Sequence, residues 1–363
     1  MRKIAWQVSP VMLAWLLAVT ASAGENVGQG NPGKGELVLF TSADATALDS
    51  RDPVYDRTEL DLAADIFGSW HVGSFRVLGE LLLSTEEQEL ERLQLGWEVA
   101  PNTLLWLGRF HQPASAWNVR NHHGLYLQPS ITRPAIEEWE DDGGVLPQHV
   151  EGLLAETRLP LGETHGLLLA AGVGIGPVMT AAGLESLEIF SPRTSDRRPS
   201  YSLHATFLPD FAGDNGMGIV ASHSEIGLED AAYVGPAKHV DLGVLGLFIA
   251  LKYGSWEIDS ALYAVRSRFV GEGGKADQFT AGYLQLTRQL GSRFSVVGRF
   301  EGSADSGSSS YLALFPDFVR QRAVLDLRWD FAERQAIAIE FADTHARSSD
   351  YREFRLQWSA AFR

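Results

Sequence analysis

Residues 108–152, GRFHQPASAWNVRNHHGLYLQPSITRPAIEEWEDDGGVLPQHVEG, concentrate the side chains of this sequence that could do chemistry. Four of the ten histidines fall here (His111, His122, His123 and His149), with the acids Glu137, Glu138, Glu140, Asp141 and Asp142 and the bases Arg109, Arg120 and Arg133. Imidazole and carboxylate together are ligands for a divalent ion, so His122, His123 and His149 with the acidic run form one candidate set. Adjacent residues of an extended segment point to opposite sides, which argues against His122 and His123 sharing one ion. No metal or other cofactor is therefore assigned. His122 or His123 with Asp141, Asp142, Ser115 or Ser130 would be the groups of a hydrolase, but no spacing among them is diagnostic, and no enzymatic activity is expected. The third chemistry is electrostatic, from charges held at the wall of a confined space. For that the segment is well supplied: Pro113, Pro129, Pro134 and Pro147 stiffen it, Gly143 and Gly144 permit a reversal, and Trp117, Tyr126 and Trp139 can anchor it.

The elements that flank the segment alternate. In AVLDLRWDF, Leu325, Leu327, Trp329 and Phe331 share one face, and Asp326, Arg328 and Asp330 the other. Phe354, Leu356, Trp358, Ala360 and Phe362 likewise oppose Arg355, Gln357 and Ser359, while Leu93, Leu95, Trp97 and Val99 oppose Arg92, Gln94 and Glu98. Near the start, Leu60, Leu62, Ala64, Ile66 and Trp70 oppose Glu59, Asp61 and Asp65. Marking every such run from residue 36 onward gives about sixteen strands, of a length that crosses a membrane when tilted. Links such as VAPNT, KYGSW and FAERQ are short, and the intervening ones are longer and richer in charge. Trp70, Phe75, Trp97, Trp106, Trp256, Phe294, Phe331 and Phe362 fall beside the short links in the apolar phase, as a belt at one membrane interface would.

The remaining features agree with export. Residues 1–23 carry Arg2 and Lys3, an apolar stretch broken by Pro10, and Ala21-Ser22-Ala23, the pattern of a cleaved secretory signal. Residues 24–35 then form an N-terminal periplasmic segment, and 36–363 the barrel. Removing Arg2 and Lys3 takes the formal charge from −16 to −18, which argues against nucleic-acid binding. With no cysteine, disulfides, thiolate metal sites and c-type haem attachment are excluded. GVGIG at 172–176 lies within an alternating run and reads as close strand packing, not as a phosphate loop.

In this layout the chain resembles Gram-negative outer-membrane porin-like β-barrels. The resemblance spans nearly all of residues 36–363 and rests on alternation, link asymmetry and the aromatic belt, together with WNVRNHHG and GGVLPQH, which look like a loop pattern of porin-like proteins. Such proteins end on an aromatic residue that the barrel-assembly machinery reads; here Phe362 is followed by Arg363. The resemblance implies an all-β, closed antiparallel transmembrane barrel in the outer membrane. Its third extracellular loop, residues 112–149, folds inward and constricts a channel for passive diffusion of small hydrophilic solutes or ions. Arg109, Arg120, His122, His123, Arg133, Glu137, Glu138, Glu140, Asp141, Asp142 and His149 would then set permeation. Asp61, Arg76, Glu80, Arg92, Arg158, Arg299, Asp326, Arg328 and Arg355, all in the polar phase, would line the lumen. Expected partners are outer-membrane lipid and lipopolysaccharide, the solutes and the assembly machinery, with a homotrimer left open. A non-transporting barrel for adhesion or partner binding is the alternative, and an outer-membrane hydrolase a more distant one.

Overall fold

Hydrocarbon offers no partner for a peptide group, so a strand that crosses it must be paired along both edges. The computed structural model describes residues 34–50, 57–85, 88–121, 124–140, 142–187, 196–229, 233, 235–271 and 276–363, and it meets that demand by closing one sheet on itself. The proposed signal, His122, His123 and Asp141 lie outside the described residues. The first strands are β1 (Lys34–Ser50), β2 (Arg57–Val72), β3 (Phe75–Ser84), β4 (Gln88–Ala100), β5 (Thr103–His111), β6 (His149–Leu161) and β7 (His165–Ile175). A short hairpin, β8 (Val178–Thr180) and β9 (Gly183–Glu185), follows. The remainder are β10 (Pro199–Leu208), β11 (Gly216–Leu228), β12 (His239–Tyr253), β13 (Trp256–Val270), β14 (Ala276–Gln289), β15 (Phe294–Ala304), β16 (Val319–Ala332), β17 (Gln335–Ala346) and β18 (Asp350–Phe362).

Every wall strand pairs antiparallel with its neighbours in sequence, β7 joins β10 across the small hairpin, and β1 closes the ring against β18 from Leu39↔Phe362 to Ser50↔Tyr351. Setting aside β8 and β9, the wall has the sixteen strands expected from alternation. The expected asymmetry of the links is incomplete, because 347–349 is as tight as the turns at the opposite end. There the strands continue past the alternating stretch and take up residues that sequence assigns to a loop.

The apolar phase faces outward: Leu60, Leu95, Leu245, Leu325, Leu327 and Leu356 are exposed large hydrophobics, as are Trp70, Phe75, Trp97, Trp256, Phe294 and Phe362 of the belt. Trp106 is a correction. It is 8% exposed, faces the interior and donates from its indole nitrogen to Glu156 at 2.8 Å, while Leu105 and Leu107 hold the outer face of β5. A second correction concerns the interior, part of which is apolar. On β12, Val240, Leu242, Val244 and Phe248 point inward and are buried, although Leu245 and Leu247 face out. Tyr263, Val265, Phe279, Ala281 and Tyr283 extend this apolar face across β13 and β14. Strands covered on both sides lose the alternation that a water-filled interior would impose.

Exposure of the leucine phase sets the first test. Leu327→Arg should destabilise the barrel by about 2–4 kcal/mol near the bilayer midplane, and Leu327→Phe by little. Heat-modifiable gel mobility of the two variants reads the difference, and equal mobility would mean that this face does not meet lipid.

Candidate functional site

β5 and β6 are joined by residues 112–148, and their last cross-strand pair is His111↔His149, followed by a bond from the Gln112 amide to the Gln148 carbonyl at 2.6 Å. Two features of the sequence shape this root. Gly108 has φ of 136°, a conformation in which a Cβ would collide with the Leu93 carbonyl, and pairing between β4 and β5 stops at the next residue, Leu93↔Arg109. β5 and β6 continue together beyond that point with both faces buried. Phe110 and Val150 pack with Trp106, Leu154 and Ala170 on one face. Arg109, 1% exposed, pairs on the other with Glu89 and, at 3.5 Å, with Glu151.

Between these roots the chain makes a helix at Ala116–Asn121, a single turn at Gly124–Leu127 and a 3₁₀ turn at Ala135–Glu137. One face is apolar. Trp117, Ile136, Val145 and Leu146 join the cluster on β11–β14, together with Met179 and Leu184 of the β8–β9 hairpin and Tyr311, Leu312, Phe315 and Phe318 from the β15–β16 link. Tyr311 caps this packing by donating from its hydroxyl to the Val145 carbonyl at 2.7 Å.

Glu137, wholly buried, is the hub. Its carboxylate accepts bonds from the hydroxyls of Ser115 and Tyr263 and from the Trp117 amide, and Tyr263 Oη in turn accepts the Ala116 amide at 3.1 Å. The hydroxyl of Ser115 is thus engaged, and so is that of Ser130, which donates to the Thr132 carbonyl and accepts from Arg299.

Polar wall residues hold the other contacts. Arg120 reaches Asp259 of β13 at 2.7 Å, and the Gly124 amide donates to Asp65 of β2 at 3.2 Å. Arg328 of β16 donates to the carbonyls of Tyr126 and Gln128 and lies 4.8 Å from the Tyr126 ring. Arg299 donates to the Thr132 carbonyl at 2.8 Å and Arg322 to that of Arg133 at 2.5 Å, while both bind Glu301, which accepts the Ala135 amide at 2.7 Å. Glu340 of β17 takes the amide and hydroxyl of Thr132. Desolvated ion pairs with additional hydrogen bonds of this kind fix geometry, since removing one partner leaves a buried charge.

The structure therefore divides the residues singled out from sequence. Arg109, Glu137, Glu140, His149, Arg299, Asp326 and, in a 2.6 Å pair, Glu80 and Arg92 are buried. Asp61, Arg76, Arg120, Glu138 and Arg355 are at least partly exposed, and Asp142 is exposed. Arg76 pairs with Glu98 at 3.2 Å, Arg355 with Glu353 at 3.0 Å, and Arg133 joins Glu138 at 3.3 Å while lying over Trp139. Arg158 donates to the Gly213 carbonyl.

Sequence reasoning missed Tyr263 and Tyr283, which lie in apolar-looking runs, and Arg322. It also missed Glu89 and Glu91, although ELERLQ carried a signal: both acids continue the phase of Leu93, Leu95 and Trp97, where a charge has no place on a lipid-facing strand. Among the described residues, two groups bring ligand atoms within 4.8 Å of one another, Glu91 with His111 and His149, and Glu225 with His239 and Asp241.

No family model and no curated protein matches the chain in sequence. Among solved structures it is similar to the anion-selective porin from Comamonas acidovorans, with a TM-score of 0.60 at 10% identity over 91% of this chain and 100% of that one. The outer membrane channel DcaP of Acinetobacter baumannii superposes with a TM-score of 0.55 at 12% identity, over 93% and 99% of the two chains. The trimer form of OmpT, an outer membrane protein of Vibrio cholerae, gives 0.59 at 10% identity over 92% and 100%. At these identities the likeness is one of fold. The fold is that of bacterial outer-membrane porins, and the outward-facing apolar belt is the surface that a barrel in such a membrane presents.

Burial pushes the Glu137 carboxyl from 4.5 up to about 7, against the pull of its bonds from Ser115, Tyr263 and the Trp117 amide. The docked value lies above the ordinary one, so this group's contribution is fully present below about pH 4.5 and is lost, by roughly 3 kcal/mol, as pH rises through about 7. Glu137→Gln removes the titration. Relative to the native chain, its stability in detergent should therefore improve between pH 5 and pH 8, and parallel unfolding midpoints across that range would refute the role of Glu137.

Proposed function

We propose that the chain is a porin-like channel for passive diffusion of small hydrophilic solutes or ions, narrowed by the segment 112–148. The observation that carries this reading is the segment's reach: inward side chains of β2, β13, β15, β16 and β17 all bond it, and these strands stand on opposite sides of a closed ring. A loop attached in that way occupies the width that a barrel of this strand number leaves open. Its apolar side is committed to β11–β14. Partly exposed charges remain toward β1–β4 and β16–β18, namely Asp61, Arg76, Glu98, Asp330 and Arg355, with Glu138 and Asp142 on the loop. A passage between these faces would present both signs of charge, and charged side chains at a narrow point discriminate among ions. That one structural neighbour is described as an anion-selective porin and another as a channel supports the same reading.

In this reading Glu138 and Asp142 act on permeating ions, whereas Glu137 and Glu140 hold the loop. Lipopolysaccharide at the outer rim and the assembly machinery at Phe362 are the partners such a barrel would use. A homotrimer, as in the trimer form of OmpT, is the assembly we propose, open to a mass measurement on the solubilised barrel.

Planar bilayers under a salt gradient test the channel directly. Glu138→Gln with Asp142→Asn should lower cation preference, read as a shift of the reversal potential toward anions, because fixed carboxylates enrich cations within about 10 Å at 0.1 M salt. Shortening 112–148 should raise conductance. Unchanged values for both variants would remove the segment from the pathway and favour an adhesion or partner-binding surface.

A further inference from the structure

We propose that Glu91, His111 and His149 form a binding site for a divalent transition-metal ion of the zinc class, which ties the two roots of the segment 112–148 to β4. The site lies where β4 and β5 part. Pairing between them ends at Leu93↔Arg109, yet β5 and β6 stay together as far as His111↔His149, so two imidazoles face one another across a strand pair with ring centres 5.0 Å apart.

Glu91 reaches them through an irregularity. Glu80 pairs with Arg92 but Leu81 with Leu90, which leaves Glu91 as the extra residue of a β-bulge. By alternation it would share the lipid-facing phase of Leu93 and Leu95. Bulges re-aim side chains, and this one brings a carboxylate oxygen to 2.9 Å from His149 Nε2 and 3.6 Å from His111 Nε2. One ligand atom from each residue lies within 4.8 Å of the others. Tetrahedral zinc with bonds near 2.0–2.1 Å needs neighbouring ligand atoms about 3.3 Å apart, so small side-chain adjustments close the site around an ion and leave a fourth position for water.

The surroundings are those of a metal-binding histidine. His149 Nδ1 lies 2.9 Å from Glu140 Oε2, and the other oxygen of Glu140 accepts the amides of Gln148 at 2.5 Å and His149 at 2.9 Å. A carboxylate on Nδ1 fixes the tautomer that offers Nε2 to the metal and orients the ring. Trp139 stacks on His149 at 5.1 Å and contacts His111 at 4.7 Å, giving the site an apolar cover. Charge favours a cation as well: Glu89, Glu91, Glu140 and Glu151 outnumber the nearby guanidiniums of Arg109, Arg133 and Arg197. Imidazole nitrogen with carboxylate suits zinc, nickel or copper better than calcium or magnesium. Without an ion, His149 is bridged between Glu91 and Glu140.

The test is calorimetric titration of Zn²⁺ into the full-length folded barrel, freed of metal by a chelator, at neutral pH in excess Mg²⁺. One ion per chain is expected to bind. His111→Asn, which leaves the His149–Glu140 pair in place, should abolish that binding, and Glu140→Gln should weaken it roughly 10- to 100-fold. Heat-modifiable mobility confirms that each variant is folded. Cobalt substituted for zinc should give a tetrahedral absorption spectrum that His111→Asn removes. Absence of Zn²⁺ binding overturns the proposal, and so does binding that survives His111→Asn but is lost in His239→Asn, which would place the ion at Glu225, His239 and Asp241. Binding does not depend on the channel reading: a folded barrel that binds zinc as stated and conducts nothing in bilayers would refute the channel and leave the site.

Discussion

The pairing of β1 with β18 is the interaction on which the rest of this structure depends. A sheet in hydrocarbon cannot leave an edge, because each unpaired amide or carbonyl there costs several kcal/mol, and closure satisfies all of them at once. Closing this many strands fixes a width, and the width leaves an interior larger than the wall's own side chains can fill. What occupies that interior is therefore as much a part of the fold as the wall. Among the described residues, contacts with the inward side chains of β11–β14 come from residues 112–148, the β8–β9 hairpin, the segment around Tyr311 and the β11–β12 link at Tyr233 and Ala237.

Those occupants divide the interior. Against β11–β14 they form a buried apolar cluster of the kind found in soluble domains, built on Trp117, Tyr263, Phe279 and Tyr311. Against β15–β17 they are held by guanidiniums and carboxylates: Arg299, Glu301, Arg322 and Glu340. Apolar packing supplies attachment without direction, whereas the bidentate and charge-assisted bonds of the second face supply direction and register. In the proposed channel, a loop attached by both means would hold its remaining charges in fixed positions, as electrostatic discrimination requires.

Irregularities cluster at the origin of the long segment. Gly108, with its positive φ, lies on β5 and the bulge at Glu91 on β4, and the bulge turns the Glu91 side chain away from the face that its position in the sequence assigns. In ELERLQ the acids occupy the lipid phase, a conflict visible in the sequence, and the bulge is the structure's answer to it. In VLGLFIAL the missing alternation signals a strand covered on both faces.

The sequence by itself determined the wall. Outward leucines such as Leu325 and Leu327, and the number of strands, follow from a period-two pattern, and that pattern is local because lipid and interior act on each residue separately. Where the long segment begins and which of its residues carry charge were equally legible. Only tertiary structure decided which charges are buried and which stay partly open. Glu137 and Glu138 are neighbours of the same type, yet one is enclosed by Ser115 and Tyr263 while the other pairs with Arg133 at a partly exposed position. It also decided that His149 meets Glu91, 58 residues away in the chain. Contacts of that kind depend on strand register and on a one-residue bulge, and no local pattern of residues encodes either.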